Sequence, residues 1–295
     1  MHVFVTGASG WIGSAVVSEL IAAGHIVTGL VRSDSAAGAL SAAGATPLRG
    51  TLADLDTIRE AAAAADGVVH MAFIHDFSNI AESARVDLAV IQTIGGALAG
   101  SGRPFVIPGG VMGLSRDGQP ATEDDETLTV GAVAPRQANI EAAFAFAAQD
   151  VRVIQVRFAP TVHGQGDHGF MAVYTQIARE KGVAGYVGDG ANRWPAVHRF
   201  DAASLVHLGL ENAPTGSFLH GVGEEGVRIR DVAEVIGRKY NLPLASIPPE
   251  EANAHFGWLG MFIGSDSPAS SALTQQRMNW KPTHAGLLAD LADYY

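Results

Sequence analysis

Three glycines spaced at threes, Gly7, Gly10 and Gly13, follow the apolar run His2-Val-Phe-Val-Thr6 and precede a helical pattern closing on Gly24. Each glycine has a physical task in such a turn. Gly7 lets the chain reverse, Gly10 lets backbone approach a pyrophosphate, and Gly13 lets the helix pack on the strand. The helix start then offers N–H groups and partial positive charge to phosphate oxygens. The chemistry implied is dinucleotide binding, through Thr6, Gly7, Ser9, Gly10, Trp11, Ile12 and Gly13.

Eleven histidines form the second chemistry-bearing set. His75 adjoins Asp76, and a carboxylate beside an imidazole raises its pKa and orients the ring, as a general acid near neutral pH requires. His163 follows another apolar run. Strand ends are where doubly wound folds place ligands, so His75 and His163 are the candidate proton donors. Arg136 can polarise a carbonyl or grip a carboxylate, but it cannot act as an acid. His168, Phe170, Trp194 and His198 offer an aromatic wall and hydrogen-bond donors for a substrate, together with Asp76. His70 reads as a strand residue, and His2, His25, His207 and Tyr174 as structural. With no H-x-x-x-H or carboxylate pattern, no metal ligand is assigned. Glu123-Asp-Asp-Glu126 reads as a solvated loop.

These residues need elements to position them. Strand-like runs fall at His25–Val31, Thr46–Leu48, Gly67–Ala72, Arg103–Pro108 and Val151–Phe158. Between them lie alanine-rich helix patterns at Ser14–Ala23, Ser35–Ala43, Leu55–Ala65, Ile80–Ala99 and Arg136–Gln149. This alternation predicts an α/β fold with a Rossmann-type doubly wound parallel sheet. Asp201–Glu211 and Ser217–Gly221 add one more helix and strand. Residues 1–160 with 200–225 are therefore expected as the dinucleotide domain. Residues 161–199 with 226–295 are expected as a small, mainly helical substrate lobe.

Composition narrows the partners. The 295 residues are 47% hydrophobic and 17% charged, with a net charge of −11. That balance argues for a sizeable core and against a nucleic-acid groove. The absence of cysteine removes disulfides, thiolate metal sites and cysteine nucleophiles. No run reaches the roughly 18 apolar residues of a membrane span. A soluble cytoplasmic protein with a small-molecule substrate is expected, with a homodimer through the Ile80–Ala99 and Arg136–Gln149 helices as an option.

Four motifs in order resemble the extended short-chain dehydrogenase/reductase superfamily, which includes epimerases, dehydratases and ketone reductases. They are the glycine turn, Gly67-Val-Val-His70-Met71-Ala72, Arg157-Phe-Ala-Pro160-Thr-Val-His163-Gly-Gln-Gly166-Asp167, and Val187-Gly-Asp-Gly190 with Val197-His198-Arg-Phe-Asp201. The resemblance implies that Met71, Ala72, Phe73 and Pro160 lie beside the cofactor. It also implies a catalytic Ser, Tyr and Lys that this chain lacks at the matching positions. Gly109, followed by Gly110, stands for the Ser, Arg136 for the Tyr and Ile140 for the Lys. None of Lys181, Lys239 and Lys281 has a tyrosine four residues before it. The chain thus resembles an atypical member.

The cofactor preference is read at the end of the second strand. An acidic residue there accepts from a ribose 2′-hydroxyl, whereas an arginine pairs with a 2′-phosphate. Arg32, with Ser33 and Ser35, points to NADP(H), and Thr51 and Leu52 sit in the loop expected near the adenine. The function expected is NADPH-dependent reduction of a small carbonyl, enone or imine with a non-standard proton donor. The alternatives are a non-catalytic NADP(H)-binding regulator and a redox-neutral epimerase or dehydratase.

Overall fold

The computed structural model describes residues 1–74, 79–114, 118–125 and 134–295. The apolar runs form β1 (His2–Thr6), β2 (Ile26–Val31), β3 (Thr46–Arg49), β4 (Gly67–His70), β5 (Pro104–Gly110) and β6 (Arg152–Phe158). The alanine-rich segments between them form α1 (Trp11–Ala22), α2 (Asp34–Ala42), α3 (Leu55–Ala64), α4 (Ile80–Leu98) and α5 (Ala134–Phe144). Then come β7 (Thr161–His163), α6 (Phe170–Lys181), β8 (Ala184–Val187), β9 (Arg193–His198), α7 (Arg199–Asn212) and β10 (Ser217–Gly221). The chain continues through β11 (Glu224–Arg228), α8 (Ile229–Tyr240) and β12 (Leu244–Ile247). It closes with α9 (Ala252–Phe256), α10 (Gly260–Ile263), α11 (Ala272–Met278) and α12 (Leu287–Tyr294).

Val3, Phe4 and Val5 of β1 are wholly buried, as befits a strand covered by helices on both faces. The seven-stranded sheet runs β10-β6-β5-β4-β1-β2-β3, and β1 pairs in parallel with β2 and β4. The strand order reverses between β1 and β4, so the carboxyl ends of those two strands frame the crevice where such folds take ligands. The register sets Val3 against Gly67 and Thr6 against His70. One face of the sheet packs Phe4, Val68, Phe105 and Ile107 against Ile58, Ile94 and Ile140 of the covering helices.

Two compact units emerge. The first comprises Met1–Gly109, Thr127–Arg157 and Ala203–Leu219; the second comprises Gly110–Glu126, Phe158–Ala202 and His220–Tyr295. Gly110–Glu126, expected in the first domain, thus belongs with the second. Besides its helices, the second unit carries two small sheets, ordered β11-β9-β7 and β12-β8. Its core gathers Tyr174, Trp194, Ile229, Phe256 and Leu287.

The acidic stretch is not simply solvated. Glu123 is only 2% exposed and accepts from the Thr274 N–H in the first turn of α11, 2.6 Å away. Asp124 pairs with Arg277 on the same helix at 3.2 Å. Glu123 is buried because it satisfies an orphan N–H at a helix start; Glu126 lies outside the described residues. Among the described residues no helix is long and apolar enough to cross a membrane.

Candidate functional site

The glycine turn joins β1 to α1. Gly7 has φ +67°, and a Cβ placed on it would lie 2.7 Å from the Ala72 nitrogen. On Gly13 the added Cβ would lie 2.0 Å from the Gly7 carbonyl oxygen. Both positions are therefore closed to any other residue, while Gly10 is exposed and caps α1 without a side chain. A bare, uncapped helix start over tightly folded glycines is the cradle a pyrophosphate requires. Thr6 is buried, Ser9 is exposed, and Trp11 and Ile12 are half-buried along the same turn.

Behind the turn runs a chain of buried polar groups. An ionised Asp87 can only accept, so His70 Nε2–H donates to its Oδ1 at 3.0 Å. In the neutral ring His70 Nδ1 then accepts from the Thr6 hydroxyl, 2.7 Å away. Thr6 Oγ1 accepts in turn from the Ala72 N–H at 3.3 Å. On the far side, Asn139 of α5 donates to Asp87 Oδ2 at 2.8 Å and to the Ala84 carbonyl at 2.7 Å. The β1–β4 register makes the Thr6–His70 link possible. The chain thus pins α4 and α5 to the carboxyl ends of the two strands that frame the crevice.

Arg136 belongs to this assembly. Its Cζ stands 4.3 Å from the centre of the Phe73 ring, a cation–π distance. Burial draws the guanidinium pKa down, and the charge of Asp87 pushes it back. For Asp87, burial pushes the pKa up, but His70, Asn139 and Arg136 together outweigh it and hold the carboxyl below its usual range. The result is a half-buried cation that feels the charge of a buried, hydrogen-bonded anion. Ile140, one turn further along α5, is buried in the core.

Gly109, next to last in β5, lies beside Gln155 of β6. An added Cβ would lie 2.2 Å from Gln155 Nε2, so the carboxamide fills the space a side chain at Gly109 would use. Gln155 is held there by Arg157, whose Nε donates to Oε1 at 3.2 Å while its guanidinium lies over Phe218.

At the adenosine end, Arg32 is exposed and Ser33 caps α2 by accepting from the Ala36 N–H at 3.2 Å. Ser35 lies 3.1 Å from Ser33. Asp34 pairs with Arg49 at the end of β3, 3.2 Å away, which draws a second guanidinium toward this corner. The Thr51 hydroxyl, expected to reach the adenine, instead donates to Asp54 at 2.8 Å, and the Thr51 N–H does the same at 2.7 Å. The N–H and hydroxyl bonds together hold Asp54 below its ordinary pKa. Leu52 is half-buried against the core of the first unit. Met71 and Ala72 are half-buried after β4, and Met71 N–H donates to the Thr6 carbonyl at 3.1 Å.

The substrate residues fare differently. His75 and Asp76 lie outside the described residues. His163 is no accessible proton donor: it is 1% exposed, its Nδ1 bonds Asp290 at 2.6 Å, and its register partner is His198. Trp194 forms no substrate wall, because it is 0% exposed and spends its indole N–H on the Ser265 carbonyl at 3.1 Å. Its neighbour Phe170 is half-buried, 5.6 Å from Trp194 and 5.5 Å from the more open Trp258. His168 and Gly110 are exposed, and Pro160 is half-buried. His198 stacks on His284 at 4.6 Å, with the rings 6° from parallel. Burial holds His198 below the ordinary histidine value of 6.5. Sequence reading missed Asp87, Asn139, Gln155 and Arg49, which carry no motif of their own.

A family model for the NAD dependent epimerase/dehydratase family matches residues 3–219, and the chain belongs to that family, within the extended short-chain dehydrogenase/reductase superfamily. An uncharacterized protein of Schizosaccharomyces pombe is 48% identical over 292 residues, covering 99% of this chain and 98% of that one. An uncharacterized protein of Saccharomyces cerevisiae is 41% identical, covering 100% and 99%. A ketoreductase of Stigmatella aurantiaca, acting on a farnesylated 3-oxo-dihydroquinoline oxide, is 33% identical over 128 residues, 43% of this chain and 38% of its own. Among solved structures, the UDP-glucose 4-epimerase of Thermus thermophilus in complex with NAD matches with a TM-score of 0.77 at 18% identity, covering 99% and 97%.

Proposed function

We propose that this chain is an NADPH-dependent reductase of a small ketone, enone or imine, with Arg136 as the group that stabilises negative charge on the substrate. The observation that carries the reading is the half-buried Arg136 guanidinium over Phe73, near the strand ends that frame the crevice, with the buried Asp87 supplying a countercharge. The glycine cradle fits a dinucleotide, and the exposed Arg32, with Ser33, Ser35 and Arg49 near it, fits a 2′-phosphate. The bound cofactor supplies the hydride. Arg136, at the position where the superfamily resemblance implies a tyrosine, polarises the substrate oxygen or nitrogen and holds the charge that develops there. A guanidinium keeps its own proton, so the proton that completes the product comes from water. Phe73 stacks against Arg136, Asp87 supplies a countercharge, and Asn139 and His70 set the position of Asp87. Substrates whose anion is already stabilised, such as enones passing through an enolate, suit a site without a strong acid. The ketoreductase name of the Stigmatella relative supports carbonyl chemistry.

The test is deuterium transfer from 4-deuterated NADPH, in both stereochemical forms, into pooled aldehydes, ketones, enones and imines, read by mass spectrometry. Label in a product supports the reductase and names its substrate class. Tight NADPH binding with no label from either form would turn the reading toward a regulator.

A further inference from the structure

We propose that His25, His207, and Glu211 form a binding site for a divalent transition metal of the zinc type, at the end of the sheet opposite the glycine turn. His25 immediately precedes β2, whereas the residues assigned to the cofactor phosphate follow it. His207 and Glu211 are four apart on α7 and share one face of the helix. The ligand atoms of all three residues lie within 4.8 Å of one another.

The orientation of the rings makes this more than a cluster. Glu19 of α1 accepts from His207 Nδ1–H at 3.2 Å, so that in the neutral ring Nε2 carries the lone pair. That lone pair faces Glu211 Oε2 at 3.3 Å, acceptor against acceptor. His25 Nε2 faces the other oxygen, Oε1, at 3.1 Å. Both Nε2 atoms are shut off from solvent; the Met1 ammonium, 3.3 Å from His25 Nδ1, can only donate, so His25 Nε2 carries a proton toward Glu211. His25 itself is only 9% exposed. A buried imidazole lone pair aimed at a carboxylate, as at His207, is costly unless a cation stands between them.

A zinc ion resolves the conflict. With Zn–N and Zn–O bonds of about 2.0–2.2 Å, neighbouring ligand atoms in a tetrahedron stand roughly 3.3–3.5 Å apart. The two observed nitrogen–oxygen separations, 3.1 and 3.3 Å, run to different oxygens of Glu211, so a turn of the carboxylate brings one oxygen to both nitrogens. Two imidazoles and a carboxylate select zinc-like ions over magnesium or calcium, which prefer oxygen alone. Glu19 then plays the part of the carboxylate that orients a ligating histidine from behind. Glu211 remains 38% exposed, leaving an entry path and room for water as the fourth ligand. Zinc would displace the Nε2 proton of His25, whose Nδ1 lies 3.3 Å from the Met1 amino group. The ion would tie α7 to β2 and, through Glu19, to α1.

The experiment uses the full-length chain stripped with EDTA and titrated with zinc sulfate by calorimetry, with thermal unfolding alongside. One zinc per chain is expected, with a rise in Tm of about 5 °C at a hundredfold excess over Kd. E211Q and H207Q are expected to weaken binding at least about tenfold, and E19Q about tenfold. H284A, outside the cluster, is expected to bind as the parent does. Cobalt substitution of the unmutated protein adds a readout that no folding defect can mimic: intense visible bands of a four-coordinate nitrogen–oxygen site. Absence of zinc binding by the parent chain, equal affinity in E211Q and H207Q, or the pale spectrum of hexa-aqua cobalt would each overturn the proposal.

Discussion

The residue on which most rests is Arg136. If it stabilises charge in the reaction, R136Q should lower kcat by about 10²–10³-fold while leaving the NADPH Kd unchanged. R136K, which keeps the charge but loses the planar stack on Phe73, should fall between R136Q and the parent. Steady-state kinetics paired with a cofactor fluorescence titration check this; equal loss of cofactor binding would assign Arg136 a structural role instead. Gly109 invites the opposite change. G109S introduces the serine that the superfamily resemblance implies there, yet its Cβ meets a Gln155 that is 1% exposed and held by Arg157. The expected outcome is a destabilisation of about 1–3 kcal/mol in denaturant unfolding and no gain in activity. Asp87 shows why part of this site was illegible in the sequence. In Ala84-Arg-Val-Asp87-Leu it looks like an ordinary surface acid, and only folding brings it to His70, 17 residues away, and Asn139, 52 residues away.

At the scale of elements, legibility followed the length and continuity of the apolar runs. β1, β2, β4 and β6 are buried strands of a parallel sheet built on apolar runs, interrupted in β6 by Gln155 and Arg157, so their bounds were readable to within a few residues. β12 was not: Leu244–Ile247 is half-exposed, has no distinctive composition, and exists because it pairs with β8, some sixty residues earlier. Trp194 was misplaced for a related reason, since only the pairing of β9 with β11 shows which face of the strand points into the core. The glycine turn is local, and its three positions were readable because each performs its task within the turn or against the strand beside it. The start of α2 carries a prediction of its own. If Arg32 reads a 2′-phosphate, R32A should raise the Kd for NADPH by about 10–100-fold and leave that for NADH within twofold. Titration of both cofactors checks it, and parallel losses for the two would remove Arg32 from the phosphate site.

For the whole molecule, acid is the condition to which the second unit should be sensitive. His198 is held below 6.5, first by burial and then by His284 and His163, with Asp290 and Asp201 opposing. His255 is lowered by burial and by Lys181. A histidine with a depressed folded pKa binds fewer protons folded than unfolded, so stability rises with pH through that interval and is lost as pH falls below about 6.5. Thermal unfolding between pH 5 and 8 should show Tm falling toward acid, and H198N should flatten that slope; an unchanged slope would shift the cause to other groups. The strand order has a consequence for synthesis. β10, the neighbour of β6 in the sheet, is encoded only after the chain has passed through β7, β8, β9 and α7. At roughly 5–20 residues per second, a ribosome takes several seconds to make the intervening segment. During that interval β6 is the raw border of an unfinished sheet, open to pairing with a neighbouring nascent chain. Slower, cooler expression or a holding chaperone should therefore raise the yield of this protein more than that of one whose sheet closes in chain order.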